Sequence, residues 1–398
     1  MPESTYMAHV TPNSGTAVNI LKSTLKYFDD SDVSTDVLRV VGYDRTNVII
    51  FKFNGVIVQL EKHLNRPLQW LICQLHCNEL PLRHLMNFLD SSTTGPRHFN
   101  GPIGQALIGC KKLPVVKFSV IESYVQENVD RSDLSTDQQY LLDMCVAISE
   151  GSIDNKLSKR CPCKIVHSRW LPLANRILRL YVSTVVPSDN LITLATFILK
   201  VYAPVWFLIK TRPSCLHGVF NFWKMIQLPS YLPQPLKDVM DPVLLRNSFF
   251  AHPENMLLGM LGDPRKHIRE LAVRRIFIAR KSNINQRLRT FEVPPVLNMN
   301  AMDYIINWST IPLTEPPLTI GSSNETLQEI VVNPETSALL SELKFYPSHN
   351  QAVEGMIKLV TEASAKVRGA DTRDGLIRTK LELHRIMPYF RSKKDYNL

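Results

Sequence analysis

A mostly helical α+β fold is predicted for this chain by three observations. Apolar residues recur at helical spacing almost without a break from Leu134 to about Arg280. Ahead of that block stands one compact apolar run, Leu38-Arg39-Val40-Val41-Gly42-Tyr43, that reads as a buried strand running into Asp44. Behind it, a Pro-rich stretch leads to one more helical pattern, Gln351 to Val367. The order predicts a small α/β piece, interrupted by a helical block and completed by the end of the chain.

Each element has its own signal. Val18, Leu21, Leu25 and Phe28 give an amphipathic helix over Ala17–Phe28, which Asp29, Asp30, Ser31 and Asp32 stop. After the strand, Val56, Leu60 and Leu64 share one face of a helix whose other face is Glu61, Lys62 and His63; Pro67 ends that pattern. Leu68 to Leu75 is a short apolar run that fits either a second strand or a buried helical turn. Leu80–Leu89 is helical, and Gly95-Pro96 and Gly101-Pro102 mark the following loop. In the block, the expected helices are Thr136–Ser149, Leu173–Ser183, Leu191–Tyr202, Val219–Ile226, Pro242–Phe250, Asn255–Leu261 and Pro264–Lys281. Residues 282–335, with Pro294-Pro295 and Pro316-Pro317, read as an irregular surface linker. There is no internal repeat.

Composition narrows the class. The chain has 398 residues, 44% hydrophobic and 21% charged, which is globular and rich enough in apolar residues for a sizeable core. The length suits two or three domains, or one domain with a large insertion. The formal charge of +10 tilts toward polyanionic partners. Seven dispersed cysteines and no basic-then-apolar leader point to a reducing compartment, nuclear or cytoplasmic. Leu191 to Ile209 is apolar and near spanning length, but Lys200 and Pro204 interrupt it. A central Lys costs about 2.5–3.5 kcal/mol on insertion scales, so the expectation is a buried helix ending near Ala203, a second apolar segment, and no membrane.

Several groups of residues could carry chemistry. Asp44 at the end of a buried strand is a common metal-ligand position, since the strand fixes its direction; a turn Asp is the plain alternative. Cys73, His76, Cys77 and His84 form one set of zinc-type ligands, and Cys161, Cys163 and His167 another, without paired C-x-x-C spacing. Trp170 reads as a packing anchor for the helix it opens. Two basic segments could track phosphates or could be solvated helix faces. One carries Arg265, Lys266, Arg269, Arg274 and Arg275; the other, the tail, carries Arg378 and Lys380 among others. There is no G-x-x-x-x-G-K-[ST], no G-x-G-x-x-G after a strand and no G-x-S-x-G, which disfavours nucleotide hydrolysis, dinucleotide use and serine-esterase chemistry.

Taken in order, Gly42-Tyr43-Asp44-Arg45-Thr46-Asn47, Gly55-Val56-Ile57, Leu68-Gln69-Trp70 and Cys73-Gln74-Leu75-His76 resemble the core of hAT-type DNA transposases. His167-Ser168-Arg169-Trp170-Leu171 resembles the element that opens that family's helical insertion. Tyr346-Pro347-Ser348-His349-Asn350-Gln351-Ala352-Val353-Glu354 is similar to its C-terminal segment. Through Asn78-Glu79-Leu80-Pro81-Leu82-Arg83-His84-Leu85, Leu134-Ser135-Thr136-Asp137-Gln138 and Val201-Tyr202-Ala203-Pro204, and over nearly its full length, the chain also resembles a set of uncharacterised animal proteins.

The transposase resemblance implies an RNase H-like core split by an all-helical insertion. It implies DNA cutting by carboxylates on Mg²⁺, with Asp44 matching the second acid and Glu354 the third, and the two close in space. It gives four parts: 1–133 as a partial core, 134–281 as the insertion, 282–345 as the linker, and 346–398 as the completing helix and basic tail. The first acid has no match. Only 37 residues precede Leu38, too few for a three-strand meander plus the helix read there, and no zinc finger precedes the core. The resulting expectation is a truncated or domesticated transposase relative, catalytically inactive, binding DNA and able to form homo-oligomers. An active Mg²⁺-dependent transposase or nuclease and a helical protein-interaction scaffold are the alternatives.

Overall fold

The computed structural model describes residues 10, 12–43, 55–91, 99–125, 129–162, 170–247, 253–282, 322–346 and 348. The expectation of a mostly helical chain with a small α/β front holds among them: the sheet has two strands, and helices supply most of the rest.

The front is a strand–helix–strand unit. β1 (Val40–Tyr43) and β2 (Gln69–Ile72) pair in parallel, with Val40 opposite Gln69 and Tyr43 opposite Ile72. Parallel neighbours need a crossover. Here it is α2 (Val56–Leu64), ended by Asn65 in the left-handed conformation, φ 50°. The run 68–75, open between strand and helix by sequence, thus divides: strand first, then helix. α1 (Ala17–Asp30) is capped by Thr16, whose side chain accepts from the Asn19 N–H, and packs Leu21 against Leu60 and Leu68.

Glu61 departs from the sequence reading. It was placed on the polar face of α2, yet it is 3% exposed, and its Oε1 accepts from the Leu68 N–H and the Trp70 indole N–H, both at 2.8 Å. The carboxylate joins the crossover helix to β2 through two donors that burial would otherwise leave unpaired.

α3 (Gln74–Leu89) begins six residues before the sequence signal. Its first turns carry Gln74 and Asn78, polar residues that read as surface but are 0% and 2% exposed. The Gln74 amide donates to the Gly218 carbonyl, and Asn78 donates to the Tyr202 carbonyl at 2.9 Å. α4 (Pro102–Gly109) follows, with Asp90 capping its start by accepting from Ile103 and Gly104 N–H at 2.8 Å each.

The block contains α5 (Thr136–Glu150), α6 (Asn155–Lys159), α7 (Trp170–Tyr181), α8 (Asp189–Thr211), α9 (Gly218–Gln227), α10 (Gln234–Asn247), α11 (Pro253–Leu261) and α12 (Lys266–Ser282). α7 is buried along its whole length, and Trp170 opens it as a packed anchor beneath Arg83. α3 packs against α7, α8, α9 and α10. One hydrophobic cluster consequently runs from Leu71 to Leu343, with members on both sides of 133/134.

Pro204 does not end α8, as the sequence suggested; it widens it. Residues Ile198–Tyr202 form a π turn, after which the helix resumes at Ala203 and reaches Thr211. Proline has no N–H and crowds the preceding turn, and a wide turn is one way to absorb it. The carbonyls this opens are met from outside: Leu199 O accepts from the Tyr124 N–H at 3.3 Å and the Ser123 hydroxyl at 3.2 Å, and Tyr202 O accepts from Asn78. α8 is long and apolar enough to cross a membrane, but 78% of its most apolar window is buried among the other helices, and that packing accounts for its composition.

Two helices lie where an irregular linker was expected. α13 (Asn324–Val332) and α14 (Ala338–Leu343) are capped by Ser323 and Ser337 and bury Leu327, Ile330, Leu339, Leu340 and Leu343. The sequence weighting of Pro-rich 282–335 extended too far; the stretch 322–346 is a strap packed on α12. The expected helix Gln351–Val367 lies outside the described residues.

Candidate functional site

The two strands end together, Tyr43 beside Ile72. β1 leads into Asp44, and β2 leads through Cys73 into α3. The chain that returns from the strap meets this edge: the Gln74 N–H donates to the Ser348 carbonyl at 3.0 Å. Ser348 is 1% exposed and donates its own N–H to Pro213 O at 2.5 Å. The Cys215 N–H donates to Tyr346 O at 2.6 Å, and the Cys215 thiol to Leu343 O at 3.4 Å. Beneath, the Asn221 amide donates to Gln74 Oε1 at 3.1 Å. Ser348, six residues before Glu354, and the end of the strand before Asp44 therefore lie at the same edge. Asp44 and Glu354 themselves lie outside the described residues.

Acids ahead of β1 sit elsewhere. Asp29, Asp30, Asp32 and Asp36 are exposed. The Thr35 and Asp36 carbonyls accept from the Arg66 guanidinium at 2.8 and 3.0 Å. Arg66 lies just before β2 and Asp36 just before β1, so this contact marks the N-terminal ends of both strands, opposite the edge that Asp44 follows. At about 3.3 Å per residue, the strand separates the two ends by more than a shared metal site spans.

The zinc-type sets do not assemble where they can be seen. Among the described residues, no group of three or more His, Cys, Asp or Glu side chains could hold a metal ion. Cys73 is half-buried, Cys77 is buried, and His76 Nδ1 lies 3.8 Å from Glu79. Cys163 and His167 lie outside the described residues. Mg²⁺, which the resemblance implies, would rest on Asp44 and Glu354, which lie outside the described residues. The buried thiols are inert by environment: burial pushes Cys215 up to about 12 and Cys145 higher still.

The basic segment on α12 requires a correction. Arg269 is 5% exposed and faces inward. Its guanidinium donates to Asp263 O (2.8 Å), Pro264 O (2.7 Å), Ile330 O (3.0 Å) and Val331 O (3.0 Å). It ties the C-terminal end of α13 to the start of α12, with four of its five N–H donors taken by backbone carbonyls and the group buried away from any phosphate. Arg265 grips buried Asp263 with two parallel bonds of 3.0 Å. Arg280 holds the other end of α13, donating to Ser322 O at 2.8 Å and Asn324 Oδ1 at 2.9 Å. Arg274 is exposed and pairs with Glu270 at 2.6 Å, Lys266 is exposed, and partial burial pulls Arg275 below its usual range. Arg378 and Lys380 lie outside the described residues. The periodicity that marked α12 as basic did not distinguish inward from outward arginines; the clue was Arg269 lying one position from Ile268, on the apolar stripe shared with Ala272 and Ile276.

A surface groove of about 620 Å³ runs between α5 and α6. Asp143 at its wall is held by Arg131 at 2.7 Å and Arg160 at 2.6 Å, so its charges are largely satisfied internally. Comparison with protein families, with curated proteins and with solved structures finds no match.

Proposed function

We propose that this chain is a transposase-derived protein, with a partial RNase H-like core, that holds nucleic acid without cutting it. The carrying observation is the Gln74–Ser348 bond: it brings the chain leading to Glu354 back to the strand edge that Asp44 follows, as a split core requires. A parallel strand–helix–strand unit followed by a helical block supports the same reading. Against cleavage stands the missing match for a first acid in the sequence, with Asp36, the acid next before β1, at the N-terminal ends of the strands. Metal-dependent phosphate chemistry needs its carboxylates to act as a unit, and losing one removes most of the rate.

The test is incubation of the full chain with linear and hairpin DNA in Mg²⁺ or Mn²⁺, beside Asp44→Ala. The expected result is salt-sensitive binding and no cleavage in either protein. Cleavage lost in the variant would restore an active transposase.

The interaction-scaffold reading keeps one specific support: the inward use of Arg269 and Arg280 removes two cations from the segment expected to meet DNA. Absence of any salt-sensitive binding would select it.

A further inference from the structure

A second cationic surface lies away from α12, on α8 and α9. Between Asp189 and Asp238 the chain has no acidic residue, yet it carries Lys200, Lys210, Arg212, Lys224 and Lys237. α9 continues as a 3₁₀ turn, Leu228–Tyr231. Phe220, Lys224, Gln227 and Tyr231 fall at i, i+4, i+7 and i+11 on it, along one outward face of about 16 Å at 1.5 Å per residue. Phe222, Trp223, Met225, Ile226 and Pro229 face the opposite way and are buried.

Cations and rings alternate along that face. The Arg212 guanidinium lies 5.7 Å from the Phe220 ring centre, and the Lys224 Nζ 5.5 Å from the same ring. Beyond them, Lys200 rises from the π turn to stand between two tyrosines, 5.4 Å from Tyr124 and 5.6 Å from Tyr231. Both tyrosines are exposed, at 43% and 42%. Partial burial, with Tyr124 beside it, holds Tyr231 above the usual phenol range, so it stays neutral. No carboxylate forms an ion pair with Lys200, Arg212 or Lys224 among the described residues, in contrast to Arg265 and Arg274. The nearest acid in sequence to the tyrosines is Glu122.

We propose that this face binds single-stranded nucleic acid, its bases stacking on Tyr124, Tyr231 and Phe220 and its phosphates meeting Lys200, Arg212 and Lys224. The inference rests on the nucleic-acid reading above and assigns it a surface. Flat rings at intervals, each beside a cation, suit unpaired bases, whose faces are free, better than a closed duplex. An acidic peptide would use the charges but not the rings. Contact with a lysine or arginine holds each ring in place before the ligand arrives, which lowers the ordering cost.

Fluorescence anisotropy of the full chain with a labelled oligothymidylate of about 12 nucleotides tests this, beside a duplex of the same length. The single strand is expected to bind more tightly. With three phosphates met, its affinity should fall about 20-fold between about 50 and 200 mM salt. Tyr231→Ala is expected to weaken it by roughly 5- to 150-fold, with Tyr231→Phe near wild type, and Arg212→Gln with Lys224→Gln should flatten the salt slope. Lys266→Gln with Arg274→Gln on α12 should change little. If only the α12 pair weakens binding, the nucleic-acid reading stands and this face falls. If no variant matters because nothing binds, both fall. Equal competition by polyglutamate, or preference for the duplex, overturns the single-strand assignment. Thermal unfolding of each variant separates lost contacts from lost fold.

Discussion

α12 and the α8–α9 face are both rich in Arg and Lys, and they use them in opposite ways. On α12 the guanidinium groups of Arg269 and Arg280 turn inward or across, and backbone carbonyls of the strap take up their donors. On α8 and α9 the cations lie over aromatic rings at the surface, with their charge still open to a ligand. The same residue types thus serve cohesion in one place and offer recognition in the other. What separates them is the neighbour: a helix end presents unpaired carbonyls, which Arg can satisfy several at a time, whereas an aromatic face leaves the N–H groups free.

The sharpest way to break that comparison is Arg269→Ala. Four carbonyls near α12 and α13 lose their donor, and the strap loses its anchor. A loss of about 4 kcal/mol is expected from removing a buried charged hydrogen-bond centre, measured as a lower urea midpoint. Arg212→Gln on the other region should stay within about 0.5 kcal/mol. Equal effects would mean the two regions are not used differently.

Glu61→Ala extends the inward side of the comparison to an acid. The Leu68 N–H and the Trp70 indole N–H would both lose the Glu61 carboxylate they donate to. A loss of about 3 kcal/mol is expected, with Trp fluorescence reporting the change around Trp70. Glu61→Gln keeps an acceptor and should recover about half.

Much of the architecture was legible because it rests on periodicity. The strand at Leu38–Tyr43, the helix at Val56–Leu64 and the helices of the block follow from apolar spacing, and most lie within a few residues of their expected bounds; α8 runs nine residues past Tyr202 and α10 begins eight before Pro242. What was not legible is polar residues doing core work. Gln74 and Asn78 interrupt the apolar pattern over the first turns of α3, yet they are buried against the Gly218 and Tyr202 carbonyls, contacts that periodicity does not reveal. Glu61 and Arg269 were misread for the same reason. Pro204 misled in the other direction: a breaker by local rules, it is tolerated because Ser123, Tyr124 and Asn78 meet the carbonyls around the π turn. Asp44 and Glu354, which the resemblance names, lie outside the described residues; what the structure shows is the returning chain at Ser348 meeting the residue after Cys73, and Asp36 at the other ends of the strands.

The strap's seat can also be probed by pH. Cys215 donates to Leu343 O at the seat, and burial raises its thiol from 9.0 to about 12. A folded-state pKa raised above the unfolded one favours the protonated fold. The stability it contributes is therefore full below pH 9 and is lost as pH rises toward 12. The slope should be about 1.4 kcal/mol per pH unit for this one group, and Cys215→Ala should flatten it relative to wild type. A slope unchanged in the variant would show that the seat does not govern the alkaline limb.

The smallest effect marks the outer limit of the inward use of charge on α12. Arg274 and Glu270 form an i,i+4 pair at 2.6 Å, with side chains 70% and 43% exposed. Exposed pairs gain little, because water screens the attraction and both side chains lose freedom in meeting. Arg274→Ala should therefore cost less than about 0.5 kcal/mol, roughly an eighth of the Arg269→Ala loss although the two arginines are only five residues apart. A double-mutant cycle with Glu270→Ala in low and high salt checks this. A coupling that is small and vanishes in salt leaves Arg274 free to leave Glu270 for a phosphate. A coupling above about 1 kcal/mol that persists in salt would make Arg274 a structural residue like Arg269, and α12 would then have Lys266 and Lys281 as its exposed cations without a structural task.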